Sequence, residues 1–152
     1  MTTTSRTVVV SSSGGVLLDV LALRPWWEGD CAWWAVPAAD TRELLAGLDV
    51  RWVPELRPRD LRRLLRATLR ARQVLRDQPT RAVLSAGSGV AVPWFLAARL
   101  TGVPALWVET LNVLDRPGLA ARLCARLATC VVVQHPHLLA RHRRCVLVGE
   151  LY

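Results

Sequence analysis

The sequence predicts an α/β domain built on a doubly wound parallel sheet. Three observations carry that prediction. Apolar runs of strand length alternate throughout with runs of helical spacing. Runs such as Leu106-Trp107-Val108 and Val131-Val132-Val133 are continuously apolar, as strands covered on both faces are. Two strands also run straight into glycine loops, Val8 to Gly15 and Ala82 to Gly89. A chain of 152 residues, 52% hydrophobic, can bury a core, so one domain over 1–152 is expected.

In chain order, Val8-Val9-Val10 marks a strand at 6–11, and Gly14-Gly15 turns it into a helix at 15–24. Gly29-Asp30 precedes a strand at 32–36, a short helix at 40–47 and a strand at 49–53. Pro54 to Pro58 breaks the chain before a helix at 59–77 whose apolar side carries Leu61, Leu64, Leu65, Thr68, Ala71 and Leu75. A strand at 81–85 leads to a helix at 91–101, and Gly102-Val103-Pro104 turns into a strand at 104–109. A helix at 116–127, a strand at 130–134 and a last strand near 145–148 complete the order. No fixed-period repeat is present.

All twenty basic residues are Arg, and their distribution is uneven. Arg57 to Arg76 holds eight Arg and one Asp, a net +7 of the chain's formal +8. On the predicted helix, Arg59, Arg62, Arg63, Arg66 and Arg70 form a stripe opposite the leucines. Two readings stand here: a solvated outer face, or docking on anionic lipid headgroups, where each exposed base contributes roughly 1 kcal/mol. Nucleic acid is not the expected partner, because no aromatic interleaving or nucleic-acid motif accompanies the stripe.

Met1 to Arg6 is polar and no apolar run reaches membrane-spanning length, so neither a secretory leader nor a span is expected. Cys31, Cys124, Cys130 and Cys145 show no CxxC spacing and read as reduced thiols. His137 and His142 miss a common helix face and no third ligand joins them, so no metal is expected.

The glycine loops place bare N–H groups at helix starts, where phosphate is held. Ser12, Ser13, Gly14 and Gly15 form one candidate cradle, and Gly87, Ser88 and Gly89 the second. The alternative is a tight strand-to-helix turn that needs small residues. A nicotinamide cofactor fails on detail, since Ser13-Gly14-Gly15-Val16-Leu17-Leu18 lacks the third glycine of GxGxxG and Val36-Pro37 supplies no acid for a ribose. Without lysine there is no Walker motif, and no cofactor is expected.

The ordered set Ser-Ser-Gly-Gly at 12–15, Leu-Ser-Ala-Gly-Ser-Gly-Val-Ala-Val-Pro at 84–93, Leu-Thr-Gly-Val-Pro at 100–104, Trp-Val-Glu-Thr at 107–110, Val-Gln-His-Pro at 133–136 and Val-Gly-Glu-Leu-Tyr at 148–152 resembles one family. It is the PssD-like bacterial polysaccharide-biosynthesis family, similar to the non-catalytic, membrane-anchoring subunit of the two-chain GlcNAc transferase of N-glycan synthesis. More distantly, the chain is similar to the N-terminal half of the lipid II-forming GlcNAc transferase. The resemblance implies a Rossmann-like domain, the acceptor-side half of a GT-B glycosyltransferase, on the inner face of the plasma membrane in the cytoplasm. A partner chain would carry the UDP-sugar site, and the diphosphate of a polyprenyl-linked acceptor would lie against the first glycine loop. A catalytically degenerate scaffold of the same fold is the alternative.

Departures from the family pattern bear on that alternative. The usual Gly-Gly-His reads Gly14-Gly15-Val16, a basic residue is missing from Glu109-Thr110-Leu111-Asn112-Val113 until Arg116, and the later Ala-Asp reads Ala128-Thr129. Three polar positions are lost together, which argues against an intact catalytic site on this chain. Glu109, at the carboxyl end of a buried strand, remains the candidate acid/base; the competing reading is a carboxylate that accepts N–H bonds from the following turn. Gln134 and His135 are expected to line the site mouth or meet the partner chain. Because adjacent strand residues face opposite ways, one of Trp33 and Trp34 is expected to leave the buried face as an interface anchor.

Overall fold

Alternating sequence periods resolve into β1 (Arg6–Ser11), α1 (Gly15–Ala22), the single turn α2 (Arg24–Trp27), β2 (Cys31–Ala35), α3 (Ala39–Leu44), β3 (Val50–Trp52), α4 (Leu61–Asp77), β4 (Thr80–Ser85), α5 (Ala91–Thr101), β5 (Ala105–Glu109), α6 (Leu119–Leu127), β6 (Cys130–Val133), a 3-10 segment at Pro136–Arg141 and β7 (Cys145–Leu147). The computed structural model describes residues 4–57, 59–109 and 117–149. The expected start of a helix at 116, the run Thr110 to Val113 and the closing Glu150-Leu151-Tyr152 lie outside the described residues.

The strands form one sheet in the order β3-β2-β1-β4-β5-β6-β7, and every pairing is parallel. The order reverses between β1 and β4, so the two glycine loops flank the switch point at the carboxyl edge. Strand alternation sorts the core into two layers. Val8, Val10, Trp34, Val83, Trp107, Val131 and Val133 pack with α4, α5 and α6 on one face. Val9, Trp33, Leu84, Val108 and Val132 pack with α1 and α2 on the other. The predicted α/β, Rossmann-like doubly wound sheet is the one observed.

Three expectations need correction. Trp33 and Trp34 are both buried, at 0% and 4% exposure. Trp27 packs edge-on to Trp33 at 5.0 Å and Trp94 lies 4.7 Å from Trp34, so helices on each face cover both indoles and neither is an anchor. Leu61 and Leu65, assigned to the packed side of the long helix, are 73% and 61% exposed. Thr68, Ala71 and Leu75 are buried in the core and Leu64 packs half-buried against it, whereas Leu61 and Leu65 lie beside Leu96 and Leu100 of α5 with nothing over them among the described residues. Arg59 precedes the helix, which starts at Leu61 with Asp60 accepting from the Arg63 N–H as its cap. Arg59, Arg62, Arg63, Arg66 and Arg70 are all exposed, and Arg70 also lies 5.9 Å over the Trp34 ring.

Candidate functional site

Both glycine loops arise because their strands end at the switch point with small residues, and the structure shows what each glycine does. Gly14 has φ +75, which lets the chain leave β1 and enter α1 at once. Its N–H donates to Asp40 Oδ2 at 2.8 Å, so a carboxylate already occupies one donor of the first loop. That bond holds the Asp40 carboxyl below its ordinary value, with further help from the Thr41 N–H and hydroxyl. Ser12 and Ser13 lie between strand and helix, and Gly15 opens α1.

Gly87 answers to packing. A Cβ on it would stand 2.7 Å from Cγ2 of Val16, so α1 and the second loop touch through this glycine. Val16, where the resemblance leads histidine to be expected, thus fills an apolar contact. Ser88 takes φ 81 without being glycine, and its Oγ accepts from the Val90 N–H at 3.4 Å. Gly89 carries the chain into α5 through the bond from Val92 N–H to its carbonyl.

Glu109 ends β5 on the face that α5 and α6 cover, and it is 4% exposed. Nε2 of His142 lies 2.5 Å from its Oε2, the imidazole donating in its Nε2–H form, and Nη1 of Arg141 lies 4.0 Å from Oε1. The 3-10 segment between β6 and β7 ends in Arg141, and His142 follows it in extended conformation. A buried carboxylate with an imidazole on one oxygen can orient a hydroxyl and take its proton, with the imidazole sharing the charge.

Sequence reading singled out Glu109 but not its partners. In the sequence His142 stands out only beside His137, as half of an incomplete metal-ligand set. Thirty-three residues separate Glu109 from His142, and no local spacing signals their meeting. Among the described residues no cluster of three metal-ligating side chains occurs. Gln134 is 2% exposed, and among the described residues neither its amide atoms nor the buried Nε2 of His135 has a hydrogen-bond partner. Both sit at the carboxyl end of β6, one strand from Glu109, but strand alternation points Gln134 to the opposite face.

The chain matches known proteins over almost its full length. In Synechococcus sp. (strain CC9902), the UDP-N-acetylglucosamine–N-acetylmuramyl-(pentapeptide) pyrophosphoryl-undecaprenol N-acetylglucosamine transferase is 32% identical over 157 residues, covering 93% of this chain and 42% of the relative. The enzyme of the same description in Roseiflexus sp. (strain RS-1) is 49% identical over 74 residues, 48% of this chain and 16% of the relative. This chain is homologous to part of these transferases.

Among solved structures, Acinetobacter baumannii MurG superposes with a TM-score of 0.71 at 23% identity, over 94% of this chain and 45% of that one. The UDP-GlcNAc 2-epimerase of Methanocaldococcus jannaschii gives 0.70 at 12% identity, over 95% and 45%. At those identities the likeness is one of fold. The chain spans less than half the length of these relatives, and no family model matches it.

Proposed function

We propose that this chain is the N-terminal, acceptor-side half of a GT-B glycosyltransferase of the PssD-like kind. It would act in exopolysaccharide or lipid-linked oligosaccharide synthesis, completed by a partner chain that carries the UDP-sugar site. The observation that carries this reading is the 32% identity over 93% of this chain against 42% of a lipid-linked GlcNAc transferase. The acceptor is a sugar on a polyprenyl diphosphate, and the donor is UDP-GlcNAc or a related UDP-sugar.

Glu109 accepts the proton of the acceptor hydroxyl as that oxygen attacks the anomeric carbon. The new C–O bond forms with inversion while the bond to UDP breaks, and the Nε2–H of His142, donating to Oε2, holds the Glu109 carboxylate so that its other oxygen takes up the proton. Of Gln134 and His135, only the half-buried His135 is placed to meet the partner chain or line the mouth of the site, since Gln134 is buried on the opposite face of the sheet. Ser12, Ser13, Gly14 and Gly15, with Gly87, Ser88 and Gly89, border the acceptor.

Attachment to the inner face of the plasma membrane is peripheral. No helix among the described residues is long and apolar enough to cross a membrane. Leu61, Leu65, Leu69 and Leu100 are each more than half exposed beside Arg62, Arg63 and Arg66, a pattern that suits leucine insertion among acyl chains with arginines on anionic headgroups.

A specific observation favours a second reading, a degenerate scaffold that binds no acceptor: Val16 is committed to packing on Gly87 where the family's histidine would stand. Co-purification of the tagged chain from its native membranes separates the two. The transferase reading expects a glycosyltransferase chain in stoichiometric amount, and a pair that transfers GlcNAc from UDP-GlcNAc to a polyprenyl-diphosphate sugar. Recovery of the chain alone overturns it in favour of the scaffold.

A further inference from the structure

Outside the arginine helix, the fold assembles a second basic cluster that is scattered in sequence. Arg99 from the end of α5, Arg122 and Arg126 one turn apart on α6, and Arg141, Arg143 and Arg144 from the approach to β7 line one cleft. Its volume is about 610 Å³. Glu109 is the only carboxylate on the described lining, and His142 and Arg141 already engage it. Among the described residues, the other five arginines make no ion pair.

A cleft walled by one sign of charge focuses its field and concentrates ions of the other sign. Guanidinium forks match phosphate oxygens in pairs, which a point charge does not. The volume falls among pockets that hold molecules of nucleotide size. The rest of the lining, Pro117, Ala121, Ala125, Ala128 and Val131, is apolar and small, which leaves room for a ligand beside the arginines. Glu109 on the same lining is a hydroxyl acceptor rather than a phosphate ligand. The first glycine loop, by contrast, already has its Gly14 N–H on Asp40.

We propose that the cleft between α6 and the β6–β7 connection binds a sugar diphosphate, with its phosphates on Arg122, Arg126, Arg143 and Arg144 and a sugar hydroxyl on Glu109. The placement deepens the acceptor reading by moving phosphate recognition off the glycine loops, but it requires neither a partner chain nor turnover. The same chemistry is carried by a soluble sugar nucleotide and by a lipid-linked sugar diphosphate.

Calorimetric titration of the purified chain with inorganic pyrophosphate, at low salt and without lipid, tests it. Saturable binding is expected. Arg122→Gln with Arg126→Gln, and separately Arg143→Gln with Arg144→Gln, weaken it by about tenfold or more, each pair removing two charge-assisted contacts. Arg24→Gln with Arg76→Gln removes the same charge elsewhere and leaves it within about twofold. UDP-GlcNAc and a micellar prenyl-diphosphate sugar, titrated side by side, identify the source by which binds more tightly than pyrophosphate. Glu109→Gln removes that added affinity while sparing pyrophosphate. No saturable binding, equal loss in the Arg24/Arg76 control, or sulfate binding as well as pyrophosphate overturns the proposal. Because the titration uses the chain alone, its failure leaves the co-purification result standing, and the reverse holds.

Discussion

Replacing Gly87 with alanine separates a packing glycine from one kept bare for a ligand. The new Cβ stands 2.7 Å from Cγ2 and 3.2 Å from Cγ1 of Val16, where carbon atoms pack at about 3.5–4.0 Å. Valine in a helix has essentially one χ1 rotamer, so Val16 cannot swing aside and α1 or the loop must shift. Overpacking of this kind costs about 1–3 kcal/mol, offset by about 0.4–1 kcal/mol from the lost freedom of glycine in the unfolded chain. The net expectation is a loss of about 1–2 kcal/mol, or roughly 2–8 °C in Tm at this length. Val16→Ala vacates the space the new methyl needs, so the double variant should be more stable than the sum of the singles by about 1–2 kcal/mol in urea unfolding. Additivity within about 0.5 kcal/mol refutes the contact as the reason for glycine. A double variant that recovers stability and still loses pyrophosphate binding refutes the packing account in the other direction.

Other outcomes follow from the same geometry. His142→Ala leaves the buried Glu109 carboxylate with Arg141 at 4.0 Å; a loss of about 1–3 kcal/mol in urea unfolding is expected, and a smaller one in a Glu109→Gln background. Equal losses in both backgrounds would show the pair is not coupled. Phe95, fully buried and edge-on to Trp107 at 5.6 Å, should cost about 3–5 kcal/mol as alanine. Asp40 is held below its ordinary pKa, so its contribution is present at neutral pH and lost as pH falls through the folded-state value; Asp40→Asn should flatten acid unfolding below about pH 4, and an unchanged acid limb would contradict the Gly14 bond. Gln at Arg62, Arg63 and Arg66 should release the chain from anionic vesicles at moderate salt with circular dichroism unchanged; retained binding would rule out the arginine contact.

Strand and helix periods were legible because they are local: Val8 to Val10 and Val131 to Val133 declare buried strands, and glycine next to a strand end declares a turn. Helix 59–77 was read two residues long at its start, since Asp60 caps the helix at Leu61. The turn α2 and the 3-10 segment escaped, being too short to show a period. Glu109 was legible as a polar residue ending an apolar strand; its partners were not.

By itself the sequence determined the class of fold, the order of its elements and the positions of the glycine loops at the carboxyl edge, because dihedral preference and side-chain period act over a few residues. Only the tertiary structure decided which charges meet. Residues up to Leu56 carry four arginines against seven acids, and those from Asp77 onward carry eight against four, so outside the arginine helix the chain looks nearly neutral. Folding separates the two sets, since the strand order puts the first segment at one side of the sheet and the last at the other. The Glu109–His142 pair and the six-arginine cleft arise inside the last segment, where α5, α6, β5 and the β6–β7 connection bring residues 99 to 144 together, and no linear spacing encodes them.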